Sequence, residues 1–480
     1  MLLKHTLYYF LSRGVPGIVS FLAIAVYTRL LEPGEFGIYS LVLTLVSFCN
    51  VVFYQWLRMV LGRNYPAHRD SPDEFLAGVG TLFLLTTAVA GVAVLVAALL
   101  TEDATMRQFA AIALAMLVAH AAFDLVLALA RAMLKPGLYG LLLGSKSVLA
   151  FAAGALLALS GLGAAAPIWG LTVGYALAIV LFGRKLVASM RPGQVARADL
   201  SAYLRYGMPL TAAFALSWVI SGSDRVILTW LLDEAATGIY ASGYDLGFQI
   251  LTLVLVVVNT AAYPLVVNAL ERKGEDAARR QLRQNGEAIL SLALAGAACL
   301  VIIGSPLIEL VLAVEYRDGA KSIFLLVVVS SALAGIKSYY FDIAFQLARA
   351  THWQVVSVGV AAAVNVVLNL LLIPRFGILG AAWATVAAYA AALIISVLTG
   401  RRQFGLMPAL PSLLKSAIPI SALAALGCWA MLGIAGDATV LALVLGLVGA
   451  AIGYLAGALL FNTFGIRSAI WSRLGERMKS

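Results

Sequence analysis

The sequence predicts an all-α polytopic membrane protein with about 14 transmembrane helices. They are expected to form two six-helix lobes in parallel repeat around a central cavity, followed by two C-terminal helices. Three observations predict this fold class: the composition, the length of the apolar runs and a hairpin motif that occurs twice. Hydrophobic residues make up 62% of the chain, charged residues only 12%, and the mean hydropathy is +0.97. A soluble domain is about half apolar and a quarter charged, so this chain is expected to lie in a bilayer.

Long apolar runs give the number of spans, because a helix needs about 20 mainly apolar residues to cross the hydrocarbon core. The runs are continuous rather than alternating, which favours helices over barrel strands. The predicted spans are 10–31, 38–62, 75–100, 108–131, 138–160, 165–183, 207–231, 239–266, 287–313, 322–347, 353–373, 377–399, 414–434 and 440–463.

Lysine and arginine concentrate in the turns on one side of these spans. The turns on the other side contain only Arg107, Arg317, Lys321 and Arg375. The positive-inside rule therefore predicts that both termini are cytoplasmic. This topology also explains the net charge of +10, so no nucleic-acid partner is expected, although the basic turns suit anionic lipid headgroups. The three cysteines lack metal-ligand spacing, and no metal site is expected.

One hairpin motif occurs twice, as "LEPGEFGIY" at 31–39 and as "LDEAATGIY" at 232–240. Both copies follow the first span of a predicted six-helix unit, so the two units are expected to have the same orientation. The predicted domains are an N-terminal lobe with a linker at 1–206, a C-terminal lobe at 207–400, and the last two spans with the tail at 401–480.

Charged residues within spans are candidate functional residues, because each costs roughly 2.5–3.5 kcal/mol at the membrane centre. Asn50, Tyr54 and Arg58 recur every four residues and share one helix face. Arg58 is also near enough to a membrane face to snorkel towards water. Asp124 and Lys146 lie at similar depth on consecutive spans, which favours either a structural ion pair or a gate or proton-linked site.

A second group of charges lies on the seventh and eighth spans. Asp224 and Arg225 are neighbours in sequence, so their side chains project about 100° apart. Asp245 and Gln249 share one face of the next span. We expect Arg225 to pair with Asp245 or to line one cavity with it, and a purely structural pair is the alternative.

Lys337 lies near the middle of the tenth predicted span, which is the most costly depth for a charge. Asp342 follows five residues later, a poor spacing for direct pairing on an α-helix. We therefore expect an unpaired lysine beside a basic, water-filled cavity. Asn365 and Asn369 on the next span either extend the lining of that cavity or make interhelical hydrogen bonds.

The excess of cationic residues inside the spans indicates an anionic ligand. A pyrophosphate fits, because guanidinium groups bind phosphate in a bidentate fork. A path for lipophilic cations is expected to be lined mainly by acidic residues instead.

Three segments resemble one known family: "TRLLEPGEFGIYSL" at 28–41, "SDRVILTWLLDEAATGIYASGYDL" at 223–246 and "LNLLLIPRFGILGAAWAT" at 368–385. With fourteen spans, they resemble the polysaccharide-transporter (Wzx-type) branch of the multidrug/oligosaccharidyl-lipid/polysaccharide exporter superfamily. The resemblance implies a flippase of the bacterial inner membrane. Its substrate would be an undecaprenyl-pyrophosphate-linked oligosaccharide, the repeat unit of an O-antigen, capsule or exopolysaccharide, which moves from the cytoplasmic to the periplasmic leaflet.

The resemblance also implies alternating access, no cofactor, and coupling to H⁺, Na⁺ or the membrane potential. The expected partners are the bilayer, the lipid-linked glycan, and polymerase and export machinery. We assign the residues to three roles, which are phosphate binding in the basic cavity, gating or ion coupling, and cavity lining. The first group is Arg13, Arg58, Arg225 and Lys337; the second is Asp124, Lys146, Asp224, Asp245 and Asp342; the third is Asn50, Tyr54, Gln249, Asn365 and Asn369.

Three alternative functions stay open. A cation-coupled multidrug exporter and a lipid II flippase belong to the same superfamily. The third is a membrane enzyme such as a glycan polymerase or ligase, which usually carries its chemistry on a large extracytoplasmic loop. No predicted periplasmic turn exceeds about ten residues, and no nucleophile–base group is recognisable, so we expect a transporter rather than an enzyme.

Overall fold

The computed structural model describes residues 2–102, 104–194, 197–406, 413–434 and 439–461. Side chains are described for 14–102, 107–194, 199–406, 415–434 and 440–461. Within these ranges the chain is helical and has no β-strand. The described α-helices are α1 (Leu2–Leu30), α2 (Pro33–Asn64), α3 (Asp73–Leu100), α4 (Ala104–Ala132), α5 (Pro136–Leu159), α6 (Ala165–Ala178), α7 (Arg184–Ser189), α8 (Arg197–Leu231), α9 (Glu234–Lys273), α10 (Glu275–Val311), α11 (Val314–Ile336), α12 (Asp342–Leu347), α13 (His352–Phe376), α14 (Ile378–Phe404), α15 (Ile418–Ile434) and α16 (Thr439–Leu460).

Three π-helical segments, in which hydrogen bonds join residues five apart, interrupt this series. They are Ile179–Gly183 between α6 and α7, Lys337–Phe341 between α11 and α12, and Leu413–Ala417 before α15. A short 3₁₀ turn, Tyr65–His68, follows α2. The first two π segments lie inside a continuous rod, so α6–α7 and α11–α12 each count as one membrane crossing.

Each predicted span coincides with one helical rod of the described chain. Twelve rods are long and apolar enough to cross a membrane by length and composition. The other two are α1, whose described apolar part is Gly14–Leu30, and α8. Asp224 and Arg225 lie in the last turns of α8 and lower its hydropathy. The prediction of an all-α polytopic membrane protein is confirmed.

The chain folds into two compact units, Met1–Gly238 and Ile239–Ser480. The first unit includes α8, because α8 packs along α2. The rings of Phe48 and Trp218 are 4.5 Å apart, and the Arg63 guanidinium lies 4.2 Å from the centre of the Tyr206 ring. The predicted lobe boundary at residue 206 stays a prediction, because packing defines the units whereas sequence duplication defines the repeats.

The two copies of the hairpin motif have the same local structure. Glu32 is the N-cap of α2, and its backbone N–H donates to the Glu35 carboxylate at 3.1 Å. In the second copy, Asp233 precedes α9 and accepts a hydrogen bond from the Ala236 N–H at 2.7 Å. In both motifs an acidic side chain, Glu35 in the first copy and Asp233 in the second, therefore satisfies a backbone donor at a helix N-terminus.

The glycine of each motif lies where α2 crosses the first turn of α9. A Cβ atom on Gly37 would overlap the Glu234 carbonyl oxygen, and one on Gly238 would overlap the Pro33 carbonyl oxygen. The backbones approach this closely because neither glycine has a side chain. The motif is thus repeated because each copy supplies one half of a helix crossing.

In the second unit, the last two helices pack together and against α10. The Ser421 hydroxyl donates to the Ser291 carbonyl at 3.3 Å, and the Ser291 and Tyr454 hydroxyls are 3.0 Å apart. These bonds satisfy polar groups that lipid would leave without partners. The C-terminal helical pair is therefore part of the second compact unit.

Candidate functional site

A polar cluster in the first unit joins α2 to α4. The Arg58 guanidinium forms an ion pair with Asp124, and the same carboxylate oxygen accepts a hydrogen bond from Asn50 Nδ2 at 2.9 Å. Arg58 also donates to the Gln55 side chain, one turn earlier on α2. Arg58 and Asp124 keep 14% and 22% of their side chains exposed. The pair is thus neither fully buried nor exposed as the head of a snorkelling arginine would be.

Three of the predicted residues therefore come together, although with a different pairing. The sequence predicted a relation between Asp124 and Lys146, but Asp124 pairs with Arg58. The Lys146 ammonium instead lies 5.0 Å from the centre of the Tyr175 ring on α6. Among the residues whose side chains are described, no carboxylate lies within 4 Å of this ammonium.

His120 completes this cluster from α4. Its Nε2 lies 3.6 Å from the Asp124 carboxylate, and its ring stacks on Tyr175 with centroids 4.7 Å apart. His120 lies one turn from Asp124 on α4, and the sequence predicted no role for it or for Tyr175. The helical spacing from Asp124 could have indicated His120. No feature of the apolar sixth span indicates Tyr175.

Tyr54 and Asn50, which were predicted to line a cavity, are buried in the first unit. The Tyr54 hydroxyl donates to Thr87 Oγ1 on α3 at 3.1 Å. Asn50 supports Asp124 as described above. Their polar groups therefore hold neighbouring helices together beside the Arg58–Asp124 pair.

The charges on α8 have two environments. Asp224 is buried, with 2% of its surface exposed, whereas Arg225 is half-buried and donates to Thr44 on α2 at 3.5 Å. Asp245 and Gln249 belong to the second unit, where Asp245 is half-buried and Gln249 is exposed. The predicted pairing of Arg225 with Asp245 stays a prediction.

Lys337 is not the unpaired lysine that its spacing from Asp342 predicted. Its ammonium donates to the Asp342 carboxylate at 2.6 Å, and both side chains are at least 95% buried. The reason is the π-helical segment Lys337–Phe341, which places residues five apart one above the other. Ser396 on α14 donates to the second Asp342 oxygen at 2.9 Å. The expectation of a free ammonium beside a basic cavity is wrong.

Asn365 and Asn369 are fully buried in the second unit. Asn369 Nδ2 donates to Asn365 Oδ1 at 3.1 Å, and Asn365 Nδ2 lies 3.5 Å from Thr385 Oγ1 on α14. Interhelical hydrogen bonding, one of the two predicted roles, describes the contact of Asn365 with α14, whereas the bond between Asn369 and Asn365 lies within α13. Arg13 lies in α1, but its side chain is outside the described residues, so its predicted role stays a prediction.

Comparison with known proteins agrees with this architecture. Residues 26–321 match the family model of polysaccharide biosynthesis proteins. The chain is 24% identical to the probable flippase AglR of Haloferax volcanii over 403 residues, which are 81% of this chain and 79% of AglR.

Two solved structures share the fold. The lipid II flippase MurJ, in an inward closed conformation, aligns with a TM-score of 0.75 at 14% identity, over 97% of this chain and 99% of MurJ. A MATE transporter of Vibrio cholerae, VcmN, aligns with a TM-score of 0.55 at 16% identity, over 84% of this chain and 98% of VcmN. At such identities the likeness establishes the fold alone.

AglR and MurJ are described as flippases and VcmN as a transporter. The resemblance to the polysaccharide-transporter branch of the exporter superfamily is confirmed. Because the family model matches more than half of the sequence, the chain belongs to the family of polysaccharide biosynthesis proteins.

Proposed function

We propose that the protein is a flippase for a polyprenyl-pyrophosphate-linked oligosaccharide, which it moves from the cytoplasmic to the periplasmic leaflet of a bacterial inner membrane. Both termini are cytoplasmic in this proposal. The substrate is the repeat unit of a surface polysaccharide, and its polyprenyl tail stays in lipid. Membership of a polysaccharide biosynthesis family and the similarity to AglR support this substrate class.

One observation carries the proposal: among the described side chains of the first unit, no carboxylate lies within 4 Å of the Lys146 ammonium. Arg58 pairs with Asp124, through a carboxylate oxygen that also accepts a hydrogen bond from Asn50. Lys146 is half-buried within a membrane span, where a lysine is costly unless an anion compensates it. A pyrophosphate supplies that anion, and it binds both ammonium and guanidinium groups.

The proposed site therefore differs from the one that the sequence predicted. Lys146 and Arg58 contact the phosphates, whereas Arg225 bonds Thr44, about 21 Å along α2 from Arg58, and is not part of this contact. Lys337 has no such role, because Asp342 already neutralises it in a buried pair. Asp124 holds Arg58 in place until the substrate enters.

The membrane potential favours this direction of transport. A potential of 100 mV, negative inside, contributes about 2.3 kcal/mol for each elementary charge that crosses. Outward movement of an anionic head is therefore favourable, provided that the protein does not carry compensating cations with it. The transport cycle alternates access between the two sides, as expected for parallel repeats around a substrate path.

Deletion of the gene tests the proposal. Mass spectrometry of extracted lipids is expected to show accumulation of a polyprenyl-pyrophosphate-linked oligosaccharide, which re-expression of the gene reverses. Its mass identifies the glycan. An unchanged lipid profile would contradict the proposal.

The same strain separates the alternatives. A drug-resistance phenotype on overexpression, without lipid accumulation, identifies a multidrug exporter. Rescue of cells that lack lipid II flipping identifies a lipid II flippase.

A further inference from the structure

His120 faces the ion pair that the proposed function places at the phosphate head. Its Nε2 lies 3.6 Å from Asp124 Oδ2, which is longer than a hydrogen bond. The same Asp124 oxygen already accepts from Arg58 and from Asn50. Three donors thus converge on one oxygen, and His120 is the one that does not bond to it.

Three polar atoms around this oxygen are buried without a hydrogen-bond partner in the described part of the chain: His120 Nδ1, Arg58 Nε and Asn50 Oδ1. A buried polar atom without a partner costs about 1–3 kcal/mol, so folds rarely keep several together without a function. The cluster is therefore incompletely satisfied in this state. A change in charge at His120 would allow the donors to rearrange.

The charged and titratable groups that face His120 come from each helix around it. They are Arg58 on α2, Asp124 on its own helix α4, Lys146 on α5 and Tyr175 on α6. Asp124 attracts a cationic imidazole, whereas Arg58 and Lys146 repel one. The Tyr175 ring, on which the imidazole stacks, stabilises a cation at its face. An anion bound at Arg58 and Lys146 would cancel the repulsion.

We propose that His120 is a proton-binding site linked to binding of the pyrophosphate head. This inference rests on the proposed function. When His120 takes up a proton, it closes the 3.6 Å gap and hydrogen-bonds Asp124, so the carboxylate no longer neutralises Arg58 alone. The guanidinium is then free to bind a phosphate oxygen. By linkage, the bound anion favours the proton to the same extent that the proton favours the anion.

Binding of a soluble prenyl pyrophosphate tests this linkage. Purified protein is titrated with farnesyl pyrophosphate at pH 5.5 and pH 7.5. The quantity measured is the ratio of the dissociation constant at pH 7.5 to the dissociation constant at pH 5.5. The pyrophosphate of the probe also takes up protons between these pH values. The comparison therefore uses only the difference in this ratio between the wild-type protein and the variants. The wild-type ratio is expected to exceed that of His120→Gln by about fivefold or more, the range of allosteric coupling.

A matched control is available in the second unit. His352 stacks on Trp353, and His352→Gln is expected to keep the wild-type ratio. Asp124→Asn removes the negative charge that attracts both cations and is expected to bind the probe tightly at both pH values. Size-exclusion chromatography and the thermal midpoint verify that each variant is folded, and His120→Asn serves as a second variant.

The outcomes are distinct. A His120→Gln ratio equal to the wild-type ratio would overturn the linkage while the proposed function stands. If the wild-type protein binds the probe at neither pH, the proposed function fails, and the linkage fails with it.

Discussion

Gly37 and Gly238 hold equivalent positions in the two copies of the hairpin motif, and they meet at one crossing of α2 and α9. Each packs against a backbone carbonyl of the other copy, Glu234 for Gly37 and Pro33 for Gly238. The contact is symmetric in sequence and in space. The two copies of the motif thus pack against each other at one helix crossing. Both copies have a glycine there because the backbones approach too closely for a side chain.

Gly37→Ala and Gly238→Ala are each expected to destabilise the protein by about 1–3 kcal/mol, the usual effect of overpacking a tight contact. Gly34→Ala is the matched control, because it lies in the same first turn of α2 and a Cβ there meets nothing within 4 Å. Thermal unfolding of purified protein measures the difference. Equal midpoints for Gly37→Ala and Gly34→Ala would show that the crossing tolerates a side chain.

Asp233→Ala is expected to lower stability by about 1 kcal/mol, since it removes the acceptor for the Ala236 N–H at the start of α9. Asp233→Asn keeps an acceptor oxygen and is expected to be close to wild type. Thermal unfolding of the two variants measures the effect of this cap. A larger loss with asparagine than with alanine would contradict the capping role.

Lys337→Met is expected to cost about 3–5 kcal/mol, because it leaves Asp342 as a buried carboxylate without its cation. The double variant Lys337→Met/Asp342→Asn removes both charges and is expected to recover most of that loss, with glycan export retained. Unfolding midpoints and export assays measure the two effects.

Two results would contradict this view of the pair. Additive losses in the double variant would show that the charges do not interact. Loss of export by a stable double variant would return Lys337 to the substrate site. As a control, breaking the exposed Lys321–Glu309 pair is expected to have little effect on stability.

Lys146→Glu is expected to abolish glycan export while the protein remains in the membrane, because it reverses a charge that has no carboxylate within 4 Å among the described side chains. Lys146→Arg is expected to keep most of the activity, since guanidinium also binds phosphate. Lys135→Glu, at the exposed start of α5, is the control. Export by Lys146→Glu at the wild-type rate would remove Lys146 from the proposed site.

The helices were predictable because lipid imposes a length on every apolar run, and all fourteen runs correspond to helical rods. The relation between the hairpins was also visible, since the same residues recur at the same place in each repeat. The contact between the two hairpin motifs was not predictable. The sequence shows that the two motifs are equivalent, but it does not show that they lie close together.

The polar pairs were less predictable, for two physical reasons. The predicted membrane depth of Asp124 matches that of Lys146. Its partner is nevertheless Arg58, because pairing depends on how α2 packs against α4. The Lys337–Asp342 pair was excluded on α-helical spacing, and a π-helical turn brought the two together. The sequence thus identified charged residues within the spans, but it did not identify the geometry that assigns their partners.

Because α8 packs along α2, the two sequence repeats do not coincide with the two compact units. By sequence α8 opens the second repeat, yet it is folded into the first compact unit. A fragment that ends with the first six spans would therefore lack the helix that covers α2.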